Sequence, residues 1–329
     1  MEISPFTLET GYVGVGEVQF FYYFVESQRD PLHDPLLLYL TGGPGTSAFF
    51  PFLNQIGPLS INFDNSTLEK VSLELNPNSW AKTANVIFVD LPVGTRLSYA
   101  TTYEASRSSD SLSAQQSYKI LIKWLEEHPR FINNPLYVTN WYFIYGPTRT
   151  DCHFRDIQRW CGGGGGGDGG NERGDIQPLS IKGCVIFSPL TDKFSDFNSR
   201  FEFAHRVTLI SDDIYESAKE SYRGNYVDND PENVLCSNSL QRVDECTSRI
   251  NSGNILDPYF DKEDPDPNCR EAAGIYLDYY GNDKEVQKAL NVREGTIEKF
   301  EKTNDEIHYA FRKADTEHYS YDIFSSIAY

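Results

Sequence analysis

Residues 36–40 read Leu-Leu-Leu-Tyr-Leu, and the turn residues Thr41-Gly42-Gly43-Pro44-Gly45 follow them directly. A short apolar run that ends in turn residues is typical of a strand buried on both faces of a parallel sheet. The same pattern recurs in three further runs, at Val86–Val89, Leu136–Val138 and 183–187. Together the four runs predict a central sheet whose strands are mostly parallel.

A hairpin and a helix are predicted beside these runs. Residues 10–26 are rich in aromatic and β-branched side chains around a glycine-rich turn, which predicts a β-hairpin. Apolar residues recur at helical spacing between 120 and 125, with Asp110 as the expected N-cap and His128-Pro129 as the stop signal. Strands that alternate with helices indicate an α/β fold.

The pattern changes after about Asp192, where the chain becomes helical and is interrupted by proline and aspartate. Residues 1–192 are therefore predicted to form the N-terminal part of the core. Residues 193–329 are predicted to form a cap or insertion region, with the chain ending before the final core strands.

The segment 139–170 fits neither part, because its periodicity disappears ahead of six consecutive glycines at 162–167. A glycine run of this length behaves as a flexible linker. It reads as a linker or as a stretch not meant to be translated. The Lys-Ser/Thr pair of a phosphate-binding loop does not follow it, so no cofactor is predicted.

The 329 residues include 29 basic and 48 acidic side chains, which gives a net charge of −19. This charge argues against nucleic acid and anionic membranes as partners. No apolar run reaches membrane-spanning length, and Met1–Pro5 has neither the basic nor the apolar part of a signal peptide. Asn65-Ser66-Thr67 is the only acceptor sequence for N-linked glycosylation, and it matters only in the secretory pathway.

Several strings together resemble the plant serine carboxypeptidase-like family, and they cover nearly all of the chain outside 139–170. They lie at 5–16, 39–47, 76–80, 85–95, 198–200, 203–205, 209–212, 286–290 and 293–296. The resemblance implies an α/β-hydrolase fold with a helical cap insertion and a secreted or vacuolar location. It also implies acyl transfer through a Ser-Asp-His triad.

The resemblance implies two substrate classes, the C-terminus of a peptide or a small-molecule ester such as a glucose ester. Thr41 stands where the family's peptidases usually carry Asn, which favours the acyltransferase branch. Gly42 and Gly43 match glycines of the family's oxyanion loop, which implies that one oxyanion-binding backbone N–H, that of Gly43, is retained. Gln55 occupies the position of an acidic residue that helps the family's peptidases bind the substrate carboxyl group.

The catalytic residues themselves are predicted to be absent. The position of the family's nucleophilic serine, shortly after the run at Leu136–Val138, is occupied by Tyr142, and no serine lies between Ser117 and Ser180. The family's catalytic Asp and His lie beyond the cap, and the resemblance places Tyr329 before them. The chain as written is therefore predicted to be catalytically inactive.

The resemblance also assigns disulfides. One family pair falls on Thr46 and Thr303, so both of its cysteines are replaced, whereas the pair Cys246 with Cys269 is intact. Loss of a native disulfide typically costs about 2–5 kcal/mol of stability. On this ground we expect the chain to fold poorly by itself.

Three hypotheses of function follow. The first is a non-catalytic member of the family from a decayed or mis-spliced gene. The second is an active secreted carboxypeptidase or acyltransferase obscured by a faulty gene model, in which 139–170 is an intron read through. The abrupt break between Val138 and Gly170 favours this hypothesis over gradual decay. The third is a binding pseudoenzyme that retains the cap and part of the pocket.

Overall fold

A computed structural model describes residues 5–42, 45–141, 179, 181–187, 193–223, 225–226, 234–250, 255–256, 272–304 and 309–310. The chain forms two compact units. The first contains residues 1–188 and 271–329, and the second contains residues 189–270.

The first unit is built on a central sheet. The strands of the unit are β1 Leu8–Val15, β2 Val18–Val25, β3 Leu36–Thr41, β4 Leu59–Ile61, β5 Leu73–Leu75, β6 Asn85–Val89, β7 Tyr99–Ala100, β8 Ser108–Ser109, β9 Leu136–Trp141, β10 Ile181–Phe187 and β11 Tyr309–Ala310. Four of the short strands, β4, β5, β8 and β11, lie outside the central sheet. The order in the sheet is β1-β2-β6-β3-β9-β10, and β7 pairs with β2. The strands β6, β3, β9 and β10 are parallel, while β1 and β2 form an antiparallel hairpin. The predicted hairpin and parallel sheet are therefore confirmed.

The helices are α1 Phe49–Asn54, α2 Asp110–Glu127, α3 Lys193–Arg206, α4 Asp212–Tyr222, α5 Val234–Thr247, α6 Ala272–Asn282 and α7 Lys284–Ala289. The α2 helix ends before His128, as predicted, but its N-cap is Ser109 and not Asp110. The Ser109 Oγ accepts the backbone N–H of Leu112 at 3.3 Å, which leaves Asp110 as the first helical residue. No described helix is long and apolar enough to cross a membrane.

The strand β2 supplies side chains to both faces of the sheet. Phe20, Tyr22 and Phe24 pack in one core cluster with α2, and Phe21, Tyr23 and Val25 pack in a second cluster with α1. A strand points successive side chains to opposite faces, which explains the two clusters. All six side chains are buried. The sheet is therefore covered on both sides, which explains why its strands read as continuous apolar runs.

The segment from α6 onward packs against the core of the first unit. Leu277 and Phe300 are almost completely buried, and both belong to the cluster that contains Phe49. The Phe49 ring lies 6.0 Å from the Tyr280 ring and 5.8 Å from the Phe300 ring. In the described part of the chain, residues 272–304 thus belong to the first compact unit, while the domain boundaries predicted from the sequence stay a prediction.

The same late segment also contacts the N-terminal hairpin. Thr10 Oγ1 donates to the carbonyl oxygen of Leu290 at 2.7 Å, across 280 residues of sequence. Arg293 Nη1 donates to the Tyr99 hydroxyl at 2.8 Å, and its guanidinium lies 4.5 Å from the centre of the Tyr12 ring. We refer to this group of contacts as the hairpin clasp.

The second unit is helical in its described part, as predicted for a cap. Its apolar contacts include the buried residues Ala204 of α3, Ile214 of α4 and Val243 of α5. The rings of Phe201 and Tyr226 stack with their centres 3.9 Å apart. The α4 helix begins directly after Ser211, where the sequence predicted its start.

Candidate functional site

The candidate site lies at the carboxyl edge of the central sheet. The strand β3 lies between β6 and β9, and the parallel register pairs Leu40 with Val89 and Thr41 with Trp141. The carboxyl ends of the three strands therefore meet at one edge. Open α/β sheets bind ligands at this edge, outside the ends of the strands.

Two residues predicted for the pocket lie at or near the end of β3. The hydroxyl of Thr41 is buried and has no hydrogen-bond partner within the described residues. Gln55 caps α1, and its Oε1 accepts the hydroxyl of Tyr39 at 3.2 Å. Burial raises the pKa of Tyr39 well above its ordinary value, so Tyr39 stays protonated and remains a donor to Gln55.

The backbone around Gln55 is held in place by its neighbours. Asn76 Nδ2 donates to the carbonyl oxygens of Gln55 at 3.0 Å and of Gly57 at 2.9 Å. A Cβ atom at Gly57 would lie 1.9 Å from the carbonyl oxygen of Phe52, so this position accepts only glycine. The Gln55 side chain is thus placed by a fixed turn, not by a mobile loop.

The turn that follows the glycine-rich loop is anchored by Asp90, a residue to which the sequence assigned no role. Asp90 comes directly after β6 and is completely buried. Its Oδ1 accepts the Ser47 hydroxyl at 2.9 Å and the Ala48 N–H at 2.6 Å, and its Oδ2 accepts the Leu97 N–H at 3.1 Å. Burial raises the pKa of Asp90 to about 6, although these three donors act in the opposite direction.

A second segment, which we call the strap, lies against the same turn and consists of residues 302–304. The Ser47 N–H donates to the carbonyl oxygen of Lys302, and the Asn304 N–H donates to that of Gly45, both at 2.9 Å. Asn304 Nδ2 donates to the carbonyl oxygen of Gly94 at 2.8 Å. The strap therefore joins the turns at 45–48 and 94–97.

Thr46 and Thr303 face each other within this arrangement. They form an antiparallel bridge, and their hydroxyl oxygens lie 3.2 Å apart. A hydrogen bond between two hydroxyl groups thus occupies the position where the family resemblance places a disulfide.

The strap is fixed from its other side by Asp278 of α6. The Lys302 N–H donates to Asp278 Oδ1. Partial burial raises the pKa of Asp278 to about 6, against the lowering effect of this hydrogen bond. Asp278, Lys302, Ser47 and Asp90 are consequently joined by a continuous series of hydrogen bonds. The sequence signal that could have indicated this network is the position of Asp90 directly after a buried strand.

Three predicted site residues, Gly43, Tyr142 and Cys269, lie outside the described residues. Cys246 is exposed on α5, and its pairing with Cys269 stays a prediction. The run predicted at Leu136–Val138 is longer than expected, because Thr139–Trp141 continue β9 in register with β3.

Two further findings concern ligands and the predicted glycosylation site. Asn65 is exposed at the end of a short 3-10 helix, Phe63–Asn65. Among the described residues no group of three or more His, Cys, Asp or Glu side chains is arranged to hold a metal ion.

A mostly parallel sheet covered by helices on both faces, with a glycine-rich turn after its central strand β3, is the architecture of an α/β hydrolase. The chain belongs to the serine carboxypeptidase family, whose profile matches residues 1–142 and 168–328. The match leaves out residues 143–167, which lie within the segment 139–170 that the sequence sets apart.

The relatives are plant proteins. Serine carboxypeptidase-like 3 of Arabidopsis thaliana is 38% identical over 330 residues, which cover 99% of this chain and 69% of the relative. Serine carboxypeptidase-like 2 of the same plant is 40% identical over 298 residues, which cover 89% of this chain and 64% of the relative. The chain therefore spans about two thirds of the length of these relatives.

Proposed function

We propose that this chain is a serine carboxypeptidase-like protein that does not perform acyl transfer through a serine nucleophile. One observation carries the proposal: no serine lies between Ser117 and Ser180, the stretch that contains the end of β9 and the segment that follows it. In an α/β hydrolase the nucleophile sits on the sharp turn between such a strand and the next helix.

The chemistry of the family explains why this absence is decisive. The serine hydroxyl forms the covalent acyl intermediate, and an adjacent histidine activates it by taking its proton. The one retained oxyanion donor that the resemblance implies, the Gly43 N–H, would still polarise a carbonyl group. Without a nucleophile such donors give only a small part of the enzymatic rate.

A fluorophosphonate probe tests this proposal directly, because it labels activated serine hydroxyls. We expect no labelling of the purified chain beyond that of its heat-denatured form, with an active serine carboxypeptidase labelled in parallel as the positive control. Labelling of the native chain that disappears on denaturation would contradict the proposal.

The second hypothesis, an active enzyme with a different native sequence in this region, is favoured by a specific finding. The family profile stops at residue 142 and resumes at residue 168, so the break has sharp limits. Gradual decay of a gene would spread its changes more evenly over the chain. On this hypothesis the native product is a secreted carboxypeptidase or an acyltransferase that uses glucose esters.

Sequencing of the native transcript across codons 138–172 separates the two hypotheses. A transcript that encodes a Gly-Asp-Ser-like turn after Val138 would support the active enzyme and exclude the first proposal for the natural protein. A transcript that matches the present sequence would leave the non-catalytic protein.

A binding role is favoured by the buried hydroxyl of Thr41, which has no hydrogen-bond partner within the described residues. A buried hydroxyl without a partner costs free energy, and a bound ester or carboxylate would supply the missing partner. We expect calorimetric titration with a glucose ester or a peptide to show weak binding that Thr41→Val reduces about fivefold, since one hydrogen bond contributes roughly 1 kcal/mol. Equal affinity of the variant would exclude this role for Thr41.

A further inference from the structure

The imidazole of His128 lies where the end of α2 meets the two strands of the hairpin. His128 is the C-cap of α2, and 13% of its side chain is exposed. Its ring stacks on the indole of Trp124, with the two ring centres 4.0 Å apart and the planes inclined by 8°. The centre of the Phe24 ring of β2 lies 6.2 Å from that of His128. Packing therefore holds the imidazole in one orientation, which fixes the directions of its two nitrogens.

Both ring nitrogens of His128 face acceptor oxygens. Nδ1 lies 2.7 Å from the carbonyl oxygen of Trp124, which also accepts the backbone N–H of His128 at 2.9 Å. Nε2 lies 2.9 and 3.1 Å from the two carboxylate oxygens of Glu9 in β1. A carbonyl oxygen can only accept, so Nδ1 carries a proton. A neutral imidazole would then turn the lone pair of Nε2 toward the carboxylate, whereas an imidazolium donates from both nitrogens.

The other partner of Glu9 indicates that Glu9 is the acceptor in this pair. The Tyr22 hydroxyl donates to Glu9 Oε1 at 2.6 Å. Burial, the hydrogen bond to Glu9 and the nearby charge of Glu127 raise the pKa of Tyr22 well above its ordinary value, so Tyr22 remains a donor. Glu9 Oε1 thus receives both Tyr22 and His128, and an ionised carboxylate accepts from both. With 41% of its side chain exposed, Glu9 also keeps contact with water.

The remaining charged side chains around His128 are engaged elsewhere. Lys123 of α2 donates to the carbonyl oxygen of Gly14 at 2.6 Å, and Arg130 pairs with Glu26. Within the described residues, His128 is the only basic side chain that pairs with Glu9. The last carbonyl groups of a helix and the face of an indole ring both favour a positive charge, and His128 has both beside it.

We propose that His128 is a proton-dependent latch, whose imidazolium joins Glu9 of β1 to the end of α2 and whose deprotonation releases β1 from α2. The latch stabilises the fold fully below about pH 6.5, where a histidine of the unfolded chain is protonated too. Its contribution is lost as the pH rises and the imidazole gives up its proton. Among the described strands β1 pairs only with β2, so the release concerns an outer strand of the sheet. The latch contains no residue of the candidate site and is independent of the proposed function.

A double-mutant cycle in urea unfolding, run at pH 6 and at pH 9, tests the latch. The variants are Glu9→Gln, His128→Gln and their combination, which keep hydrogen-bonding groups but remove the charges. We expect a coupling of about tenfold in the unfolding equilibrium constant at pH 6, because hydrogen bonds between charged groups are the stronger ones. At pH 9 the coupling should fall to about twofold or less, as for a pair without charge assistance.

The matched control is His33, whose Nδ1 lies 2.9 Å from Asp30 Oδ2 but whose side chain is 81% exposed. The cycle of His33→Gln with Asp30→Asn should give about twofold coupling or less at both pH values, as exposed ion pairs do. Equal coupling of Glu9 and His128 at pH 6 and pH 9 would overturn the inference.

Amide hydrogen exchange shows whether β1 itself is released. After correction for the intrinsic effect of pH, we expect protection of the β1 amides to fall about tenfold between pH 6 and pH 9 in the parent chain. In His128→Gln this protection should be low already at pH 6 and should not change. Protection of β1 that is independent of pH in the parent chain would contradict the latch. So would a parent chain without a cooperative unfolding transition at pH 6, because the hairpin would then not be held in place.

Discussion

The turn at Gly45 excludes a side chain for two separate reasons. Its φ is +95°, a backbone conformation that other residues rarely adopt, and a Cβ atom there would lie 2.3 Å from the carbonyl oxygen of Asn304. The second reason depends on the strap, so a substitution at Gly45 tests whether the strap packs against the turn.

We expect Gly45→Ala to lower the free energy of unfolding by at least 1 kcal/mol more than Gly16→Ala. Gly16 is the matched control, because it also has a positive φ, +59°, but has nothing within 4 Å of an added Cβ. Its substitution measures the backbone strain alone, about 1–2 kcal/mol. Urea unfolding of the two variants provides the comparison, and equal losses would show that residue 304 does not contact the turn.

The facing pair Thr46 and Thr303 allows a disulfide to be introduced. Residues directly opposite each other in an antiparallel bridge have Cα atoms about 4.5–5.5 Å apart, within the range that a disulfide spans. We expect Thr46→Cys with Thr303→Cys to raise the free energy of unfolding under oxidising conditions by about 2–5 kcal/mol. Each single variant and the reduced double variant are the controls.

This experiment also tests the prediction that the chain folds poorly by itself. If loss of the disulfide is the cause, the oxidised double variant should gain a cooperative transition that the parent chain lacks. A cooperative transition already present in the parent chain, with a native-like near-UV spectrum, would contradict that prediction.

Two neighbouring residues, Ser109 and Asp110, are candidates for the N-cap of α2. Ser109 has extended backbone angles and accepts the N–H of Leu112, whereas Asp110 is already helical. We expect Ser109→Ala to cost about 1 kcal/mol and Asp110→Ala to cost less, since an acidic residue in the first turn of a helix typically contributes about 0.3–1 kcal/mol through the helix dipole. Thermal unfolding of the two variants measures the difference, and a larger loss for Asp110→Ala would favour the assignment made from sequence.

The elements that the sequence predicted correctly are those whose signals are local. The apolar run at 36–40 and the turn after it lie next to each other in the chain, and so do the two strands of the hairpin. The predicted N-cap of α2, Asp110, is one residue away from the observed N-cap, Ser109. Both residue types are good caps, so only the backbone angles distinguish them.

The contacts that the sequence did not predict are those between distant segments. Phe49 and Phe300 are 251 positions apart, and nothing near either residue indicates that their rings meet. The role of Asp90 depends on donors from Ser47, Ala48 and Leu97, so it becomes visible only when three loops are placed together. The candidate site was predicted at its glycine-rich turn, but not in the network that supports the turn.

At the scale of the whole molecule, the buried carboxyls make stability depend on pH. Asp90 and Asp278 have pKa values of about 6 in the folded chain, against 3.8 for an ordinary aspartate. The folded state therefore binds more protons than the unfolded state between about pH 4 and 6, and the free energy of unfolding falls as the pH rises through this range. Hydrogen bonds from Arg29 lower the pKa of Asp34 to about 2, so stability also falls below pH 4.

We expect urea unfolding to show maximum stability near pH 4. The contribution of Asp90 to the decrease between pH 4 and 7 should be about 3 kcal/mol, with a smaller contribution from the half-buried Asp278. Asp90→Asn should flatten this dependence, while Asp64→Asn, at an exposed position, should leave it unchanged. A variant at Asp90 with the same pH dependence as the parent chain would show that this carboxyl does not titrate in the folded state as described.

The hairpin clasp has a consequence for co-translational folding. Thr10 and Tyr12 emerge early, but their partners Leu290 and Arg293 are synthesised some 280 residues later. At ordinary translation speeds of 5–20 residues per second, the residues that complete the hairpin clasp are made roughly 15–60 s after the hairpin. During that interval the part of β1 that carries Thr10 and Tyr12 is accessible to chaperones and to neighbouring nascent chains, although β2 can already pack against α1 and α2. An early element of the chain is thus among the last to be completely covered.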